Sequence, residues 1–263
     1  MATLKDQLTT DLSKFVAQAQ WAKAVQALEG LIKLEPTNAQ YYLRLGDYCV
    51  KAGNKVAAVQ AYYQAADLFV KAGFSIKGIA ACKMILKIAP EETRAIVLMK
   101  AAVPLAVPSR EQSLVAPPAP GSGDTKDINP LFASFTKEEF GAIVDKLEPL
   151  EFMDGERIIA EGDEGDALYL ISRSGGKVVK RVAGQEVVLA ELGEGEFFGE
   201  MSLLVGGPRS ASVFALGETQ VLRLKSADLF EIMKHYPRLE KVFEEFYEDR
   251  SRATRQKIRA LRQ

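Results

Sequence analysis

The spacing of apolar residues divides the chain into a helical first part and a β-rich second part. In the first part, apolar residues recur at intervals of three and four, beginning with Leu4, Leu8, Leu12 and Phe15, and this spacing is typical of amphipathic helices. In the second part, runs of Ile, Val, Leu and Tyr are separated by glycine turns such as Asp154-Gly155. Short strands between regular turns predict an all-β barrel or sandwich, which a helical tail follows from Ala227.

Residues 103–127 separate these two parts and differ from both in composition. They read VPLAVPSREQSLVAPPAPGSGDTKD, with five prolines and a Gly-Ser-Gly. Such a segment cannot bury enough apolar surface to order itself, so it is predicted to be a flexible linker. The sequence therefore predicts an α+β multidomain protein, with a helical domain at residues 1–102 and a β-barrel domain with flanking helices at residues 128–263.

The helical part shows internal similarity at small and aromatic positions. The positions concerned are Ala24, Leu28 and Pro36, then Tyr42, Leu45, Gly46, Gly53, Ala58, Tyr62 and Ala65, and then Gly73 and Pro90. This pattern resembles the tetratricopeptide repeat. The resemblance implies a groove that binds a protein or peptide partner, and the alternative is a packed helical bundle without a partner of its own.

The spacing within this part departs from that family. The letters KAG recur at Lys51 and Lys71, twenty residues apart, whereas the repeat has a period of about 34 residues. The helix that ends near Gly73 would then serve as the second helix of one hairpin and the first helix of the next. We therefore expect a short bundle of about five or six helices instead of a regular superhelix.

Composition excludes several classes of function. The chain has one histidine, His235, at a predicted helix end, and two cysteines, Cys49 and Cys82, at apolar helical positions. These residues exclude the usual Cys/His zinc sites and predict buried free thiols in a reducing compartment. We also expect no membrane span, no signal peptide and a cytoplasmic location, because the chain lacks a long apolar run and its N-terminus is polar.

Charge and motifs narrow the function further. Residues 128–263 carry nineteen Lys and Arg against twenty-four Asp and Glu, and this balance argues against a broad nucleic-acid surface. The sequence contains no Walker loop and no Ser-His-Asp set, so neither catalytic residues nor enzyme activity are expected. No cofactor and no metal ion are predicted.

Two charged residues stand out in the apolar stretch FFGEMSLLVGGPRSASV, Phe197 to Val213. Glu200 and Arg209 lie nine residues apart, and a Gly-Gly-Pro turn precedes the arginine. A buried charge is costly unless it is paired or satisfied by a ligand. The two side chains therefore either pair with each other or each face a ligand.

The matched motifs IIAEGDEGDALYLI and FGEMSLL followed by GGPRSASV resemble the cyclic nucleotide-binding domain of the catabolite activator and of protein kinase A regulatory subunits. The resemblance covers about residues 129–260, half of the chain, and implies a jelly-roll barrel. It also implies a set of ligand-binding residues, which here are Gly199, Glu200, Met201, Ser202, Arg209, Ser210, Ala211 and Thr254.

Each implied role has a physical reason. Gly199 frees the chain to turn into a short helix whose N–H groups face an anion. Glu200 would accept a hydrogen bond from the ribose 2′-hydroxyl, and Arg209 would neutralise the cyclic phosphate with its planar fork. Ser210 would offer a hydroxyl and an amide to the same phosphate, and Thr254 would contact the base.

The sequence favours a cyclic nucleotide sensor-adaptor, with cAMP preferred over cGMP as the ligand and an unidentified protein partner at residues 1–102. The alternative is a constitutive scaffold in which Glu200 and Arg209 form a structural ion pair. We expect no DNA-binding domain after the long C-terminal helix. A homodimer through that helix would use Phe243, Phe246 and Tyr247 as its seam, and the alternative is that these side chains pack on the barrel.

Overall fold

A computed structural model describes residues 3–106, 131, 134–182 and 184–260 of the chain. Side chains are described for all of these except residues 104–106, 204–205, 249–250 and 253–260. The chain divides into two compact units, Met1–Ala102 and Val103–Gln263.

The first unit is helical. Its helices are α1 (Leu4–Ala17), α2 (Trp21–Leu34), α3 (Ala39–Lys51), α4 (Lys55–Lys71), α5 (Ser75–Ile88) and α6 (Thr93–Ala106). Side chains of Thr3, Asn38 and Asn54 accept hydrogen bonds from the first turns of α1, α3 and α4, as is usual at helix N-termini. The predicted bundle of five or six helices is confirmed for the described residues, whereas the tetratricopeptide resemblance stays a prediction.

The recurring letters KAG are helix-stop signals. Gly53 and Gly73 follow the ends of α3 and α4 with φ of 81° and 86°, the left-handed conformation that commonly ends a helix. From α1 to α5, each helix contacts the next one along the chain. Helix α4 thus contacts both α3 and α5, as the shared-helix prediction required. Close approach of α3 and α4 depends on Gly46, where a Cβ would lie 2.4 Å from the Tyr62 ring.

The first unit also holds the cysteines and the single tryptophan. Cys49 and Cys82 are buried and free, as predicted, and burial raises the pKa of Cys82 to about 12. The Trp21 ring stacks on Tyr48 with 5.8 Å between ring centroids. Lys51 places its ammonium 4.6 Å from the Trp21 ring centroid.

Helix α6 extends beyond the predicted start of the linker at Val103. Residues 103–106 are helical because Val103 is an apolar side chain that is buried, and its burial stabilises a further turn. The rest of the predicted linker, residues 107–127, lies outside the described residues.

The second unit contains a sheet and flanking helices. Its elements are α7 (Lys137–Lys146), β1 (Glu148–Phe152), β2 (Arg157–Ile159), β3 (Ala167–Val182), β4 (Gln185–Leu192), β5 (Phe197–Phe198), α8 (Glu200–Val205), β6 (Ser212–Lys225), α9 (Ser226–His235) and α10 (Arg238–Ala260). The six strands form one antiparallel sheet in the order β1-β6-β3-β4, with β2 also paired to β6 and β5 to β3.

The predicted closed barrel is wrong, because the pairings among the described residues leave β1 and β4 at the two ends of the sheet. The long strands β3 and β6 instead bend at bulges near Arg173, and a bulge bends a strand and increases its twist. The bend lets residues from both halves of these strands, including Ile171, Val213 and Val221, share one buried cluster. Bending therefore covers the core without closure of the sheet.

The flanking helices are joined to each other by ion pairs and aromatic contacts. Arg238 at the start of α10 binds the carboxylate of Glu139 on α7, and the Phe243 ring lies 5.7 Å from that of Phe135. Phe243 is fully buried inside the unit, which favours the packing alternative for this residue. A dimer seam at the partly buried Phe246 and Tyr247 stays a prediction.

His235 is exposed at the end of α9, where its Nδ1 lies 3.0 Å from the Glu231 carbonyl oxygen, so its predicted place at a helix end is confirmed. Among the described helices, none combines the length and apolarity needed to cross a membrane.

Candidate functional site

A cavity of about 300 Å³ lies between α8, the segment after it, and the sheet. Seven of the eight residues predicted to bind a ligand line it, and they are Gly199, Glu200, Met201, Ser202, Arg209, Ser210 and Ala211. The eighth, Thr254, belongs to α10, but its side chain lies outside the described residues. The rest of the lining is mostly apolar, with Ile159, Val178, Leu189, Ala190, Leu192, Phe198 and Val213, and it also includes Glu191 and Glu196.

Arg209 is the buried cation of this cavity, with 3% of its surface exposed. Its Nη1 donates to the Gly199 carbonyl at 2.9 Å and to the Ser202 hydroxyl at 3.0 Å. Its Nη2 lies 3.4 Å from a carboxylate oxygen of Asp166, whose side chain is 75% exposed. Because an ion pair with an exposed partner is screened by water, Asp166 balances the buried charge only in part.

The backbone around Arg209 holds it against a neighbouring loop. Gly206 and Gly207 have φ of 70° and 117° and make the turn that the Gly-Gly-Pro sequence predicts. The Arg209 N–H then donates to the Asp163 carbonyl at 2.7 Å, and the Gly162 N–H donates to the Arg209 carbonyl at 3.0 Å. These bonds fix the arginine backbone at the mouth of the cavity.

Two glycines make room for the guanidinium. Gly199 precedes α8 with φ of 88°, and a Cβ there would lie 2.8 Å from Arg209 Nη1 and 2.9 Å from the Ala167 carbonyl oxygen. At Gly165 a Cβ would lie 2.1 Å from the Ser202 hydroxyl oxygen. All three distances are far below van der Waals contact, so only glycine fits at these positions without a shift of the neighbours.

Glu200 is the first residue of α8 and is also 3% exposed. Its side chain and that of Arg209 line the same cavity. The ion pair that the structure gives Arg209 is with Asp166. The cavity therefore combines a buried carboxylate and a buried guanidinium with a lining that is otherwise mostly apolar.

Sequence analysis missed the residues that support the arginine from β3 and the loop before it. Asp166 carries the ion pair, and the Arg209 guanidinium lies 5.7 Å from the Tyr169 ring centroid. Tyr169 in turn stacks on Phe198 at 5.1 Å. Gly165-Asp166 directly precedes the apolar strand β3, and this position was the signal available in the sequence.

The part of the chain that the structure describes contains no group of three or more His, Cys, Asp or Glu side chains arranged to hold a metal ion.

Comparison with known proteins matches residues 149–236 to the family model of the cyclic nucleotide-binding domain. A cAMP-dependent protein kinase regulatory subunit of Mycosarcoma maydis is 36% identical over 102 residues, which are 39% of this chain and 19% of that protein. The cyclic AMP receptor protein of Thermus thermophilus is 37% identical over 110 residues, which are 41% of this chain and 51% of that protein.

Among solved structures, the Thermus thermophilus catabolite activator protein is similar with 33% identity and a TM-score of 0.46, over 51% of this chain and 63% of that one. The chain thus spans about half or less of the length of these two curated relatives. The resemblance predicted from the sequence is confirmed: the chain contains a cyclic nucleotide-binding domain, which the family model matches at residues 149–236.

Proposed function

We propose that the chain is a cyclic nucleotide sensor that binds cAMP, in preference to cGMP, in the cavity beside α8, and that its helical unit acts as an adaptor for a protein partner. The observation that carries the binding proposal is Arg209. A guanidinium that is almost fully buried, faces a cavity and has a screened carboxylate as its ion-pair partner is suited to an anionic ligand.

The lining of the cavity suits the rest of a cyclic nucleotide. The cyclic phosphate would lie against Arg209 and Ser210, and the ribose 2′-hydroxyl would donate to the Glu200 carboxylate. The apolar part of the lining, which includes Val178 and Leu189, would pack against the purine. A mostly apolar pocket with a few polar groups is expected for a site that orients a ligand.

The preference for cAMP rests on the names of the relatives. Both curated relatives are named for cyclic AMP. Ligand identity is therefore to be tested directly with cAMP and cGMP side by side.

The sensor proposal also needs a path from the cavity. Helix α8, which carries Glu200 and Ser202, contacts α10. A ligand that draws α8 towards the phosphate would therefore shift α10 as well. A nearly complete switch requires the ligand to favour one arrangement by about 5 kcal/mol. The first unit would supply the partner-binding surface, in keeping with the tetratricopeptide resemblance.

Thermal unfolding of the purified chain with cAMP, cGMP or 5′-AMP tests the binding proposal. A ligand that binds only the folded state raises its stability by about 2.7 kcal/mol at a concentration of 100 Kd. We expect cAMP to raise the unfolding temperature most and 5′-AMP to leave it unchanged. If the unfolding temperature with each of the three nucleotides equals that of the chain without ligand, the result would favour the alternative, a scaffold that keeps the fold without the ligand.

The role of Glu200 has its own test. Titration with cAMP and with 2′-deoxy-cAMP should show weaker binding of the deoxy compound, because the carboxylate loses its donor. In Glu200→Ala the two compounds should bind equally. A preference for cAMP that survives in this variant would remove Glu200 from the ribose site.

A further inference from the structure

Lys180 lies near the end of β3 and reaches the segment that follows Arg209. Its Nζ donates to the carbonyl of Ser210 and pairs with Glu161 at 3.2 Å. The side chains of Lys180 and Glu161 are 28% and 30% exposed. This lysine does not line the cavity itself, and it contacts the cavity wall through the Ser210 backbone.

Glu161 is itself held on two sides. Its carboxylate accepts a hydrogen bond from the Arg181 N–H at 2.8 Å, and its own N–H donates to the Ser212 hydroxyl at 2.9 Å. Burial raises the pKa of Glu161, but the hydrogen bonds from the Arg181 backbone and from Lys180 lower this pKa by more. Glu161 therefore stays charged at neutral pH and holds the lysine ammonium in place.

Lys180 and Glu161 lie where the backbone pairing between β3 and β6 ends. Pairing between β3 and β6 ends at Val179 and Ser212, so Ser210 lies beyond the last strand pair. Its carbonyl accepts a hydrogen bond from the Lys180 side chain. Lys180 follows Val179 on β3, and its side chain adds a contact beyond the last strand pair. This contact is with Ser210, the residue next to Arg209.

We propose that Lys180 is a positioning residue of the nucleotide cavity, which holds the Ser210 peptide so that its amide and hydroxyl face the cyclic phosphate, with Glu161 holding the lysine. This inference rests on the proposed function. The reason for a strong effect is geometric, since binding groups must be held within about 0.5 Å of their working positions. The loss of one charge-assisted hydrogen bond would release the Ser210 peptide.

The test is calorimetric titration of the full chain with cAMP and with 2′-deoxy-cAMP. In Lys180→Met we expect both compounds to bind about tenfold more weakly, with the ratio of their affinities unchanged, because the change affects the phosphate end that both share. Lys180→Arg should retain most of the affinity. Glu161→Gln should weaken binding in the unchanged background and have little further effect in Lys180→Met, because the two residues act as one unit.

The matched control is Lys177→Met, which removes the same charge from the same strand. The Lys177 side chain has no described hydrogen bond or ion pair, and its variant should bind both compounds as the unchanged chain does. Equal affinity of Lys180→Met and the unchanged chain would overturn the role of Lys180 alone. A changed ratio between the two compounds would overturn it as well, since the effect would then reach the ribose. Absence of binding by the unchanged chain would overturn the proposed function, and this inference with it.

Discussion

Replacement of Gly165 by alanine should damage the nucleotide cavity although this glycine is no part of its wall. The added Cβ would lie 2.1 Å from the hydroxyl oxygen and 2.4 Å from the Cβ of Ser202. Gly165 does not have a positive φ, so the substitution causes no backbone strain of that kind and acts through this clash. Ser202 would have to move, and the hydroxyl that accepts from Arg209 at 3.0 Å would move with it.

The expected cost has two parts. Overpacking of a buried site costs about 1–3 kcal/mol of stability. A hydrogen bond to a charged group contributes about 1.5–3 kcal/mol, so its loss at Arg209 would weaken cAMP binding about tenfold or more. Both effects should appear together, because the same side chain fills the space beside Gly165 and holds the guanidinium.

Urea unfolding and cAMP titration of Gly165→Ala measure the two effects. Gly193→Ala is the matched control, since Gly193 also lacks a positive φ and its added Cβ would meet only a Glu196 oxygen at 3.9 Å. We expect the control to keep both stability and affinity. If Gly165→Ala is as stable as the control and binds cAMP as tightly, the argument that Ser202 holds Arg209 in place is refuted.

Three further predictions concern other parts of the second unit. Arg209→Ala should reduce cAMP binding by about 2–5 kcal/mol in a titration, and retained affinity would contradict the site. Gly141→Ala in α7 should raise the free energy of unfolding by about 0.5–1 kcal/mol, since the added Cβ would meet only Val103 at 4.0 Å; a lower unfolding temperature would contradict this. Burial raises the pKa of Glu139, but the contacts with Arg238 and Thr136 together lower it by more, so the stability from these contacts is present above the ordinary pKa of 4.5 and lost as pH falls through the lower folded value. Urea unfolding from pH 7 to pH 3 should therefore show a shallower acid loss in Glu139→Gln.

Much of the site could be predicted because its residues are close in sequence. Glu200, Arg209 and the Gly-Gly-Pro turn lie within one stretch of seventeen residues from Phe197 to Val213, and the family resemblance that this stretch carries implied a shared ligand. The structure adds that they line one cavity. That they bind a nucleotide stays a prediction.

The supporting residues could not be predicted, because they depend on strand pairing between distant segments. Tyr169 reaches Arg209 because β3 pairs with β5 in a register that places Tyr169 opposite Phe198. Lys180 reaches Ser210 because β3 also runs beside β6. A periodic pattern identifies a strand but not its neighbour or its register.

The prediction of a closed barrel failed for a related reason. Alternating strands and glycine turns are compatible with a barrel, a sandwich or a bent open sheet. Which of these forms depends on the bulges near Arg173, where Ser174 has φ of 66°. A serine in the sequence does not indicate a positive φ, whereas a glycine often does. Local sequence therefore predicted the strands but not how they cover the core.

Trp21, Cys49 and Cys82 can serve as natural probes of whether ligand binding in one unit affects the other unit. All three lie in the unit Met1–Ala102, whereas the cavity belongs to Val103–Gln263. A buried thiol with a pKa of about 12, such as that of Cys82, reacts with an alkylating reagent only when its surroundings open. If cAMP slows the labelling of Cys82 or changes the emission of Trp21, ligand free energy is reaching the helical unit. Unchanged labelling and emission in the presence of bound cAMP would mean that the helical unit opens independently of the ligand.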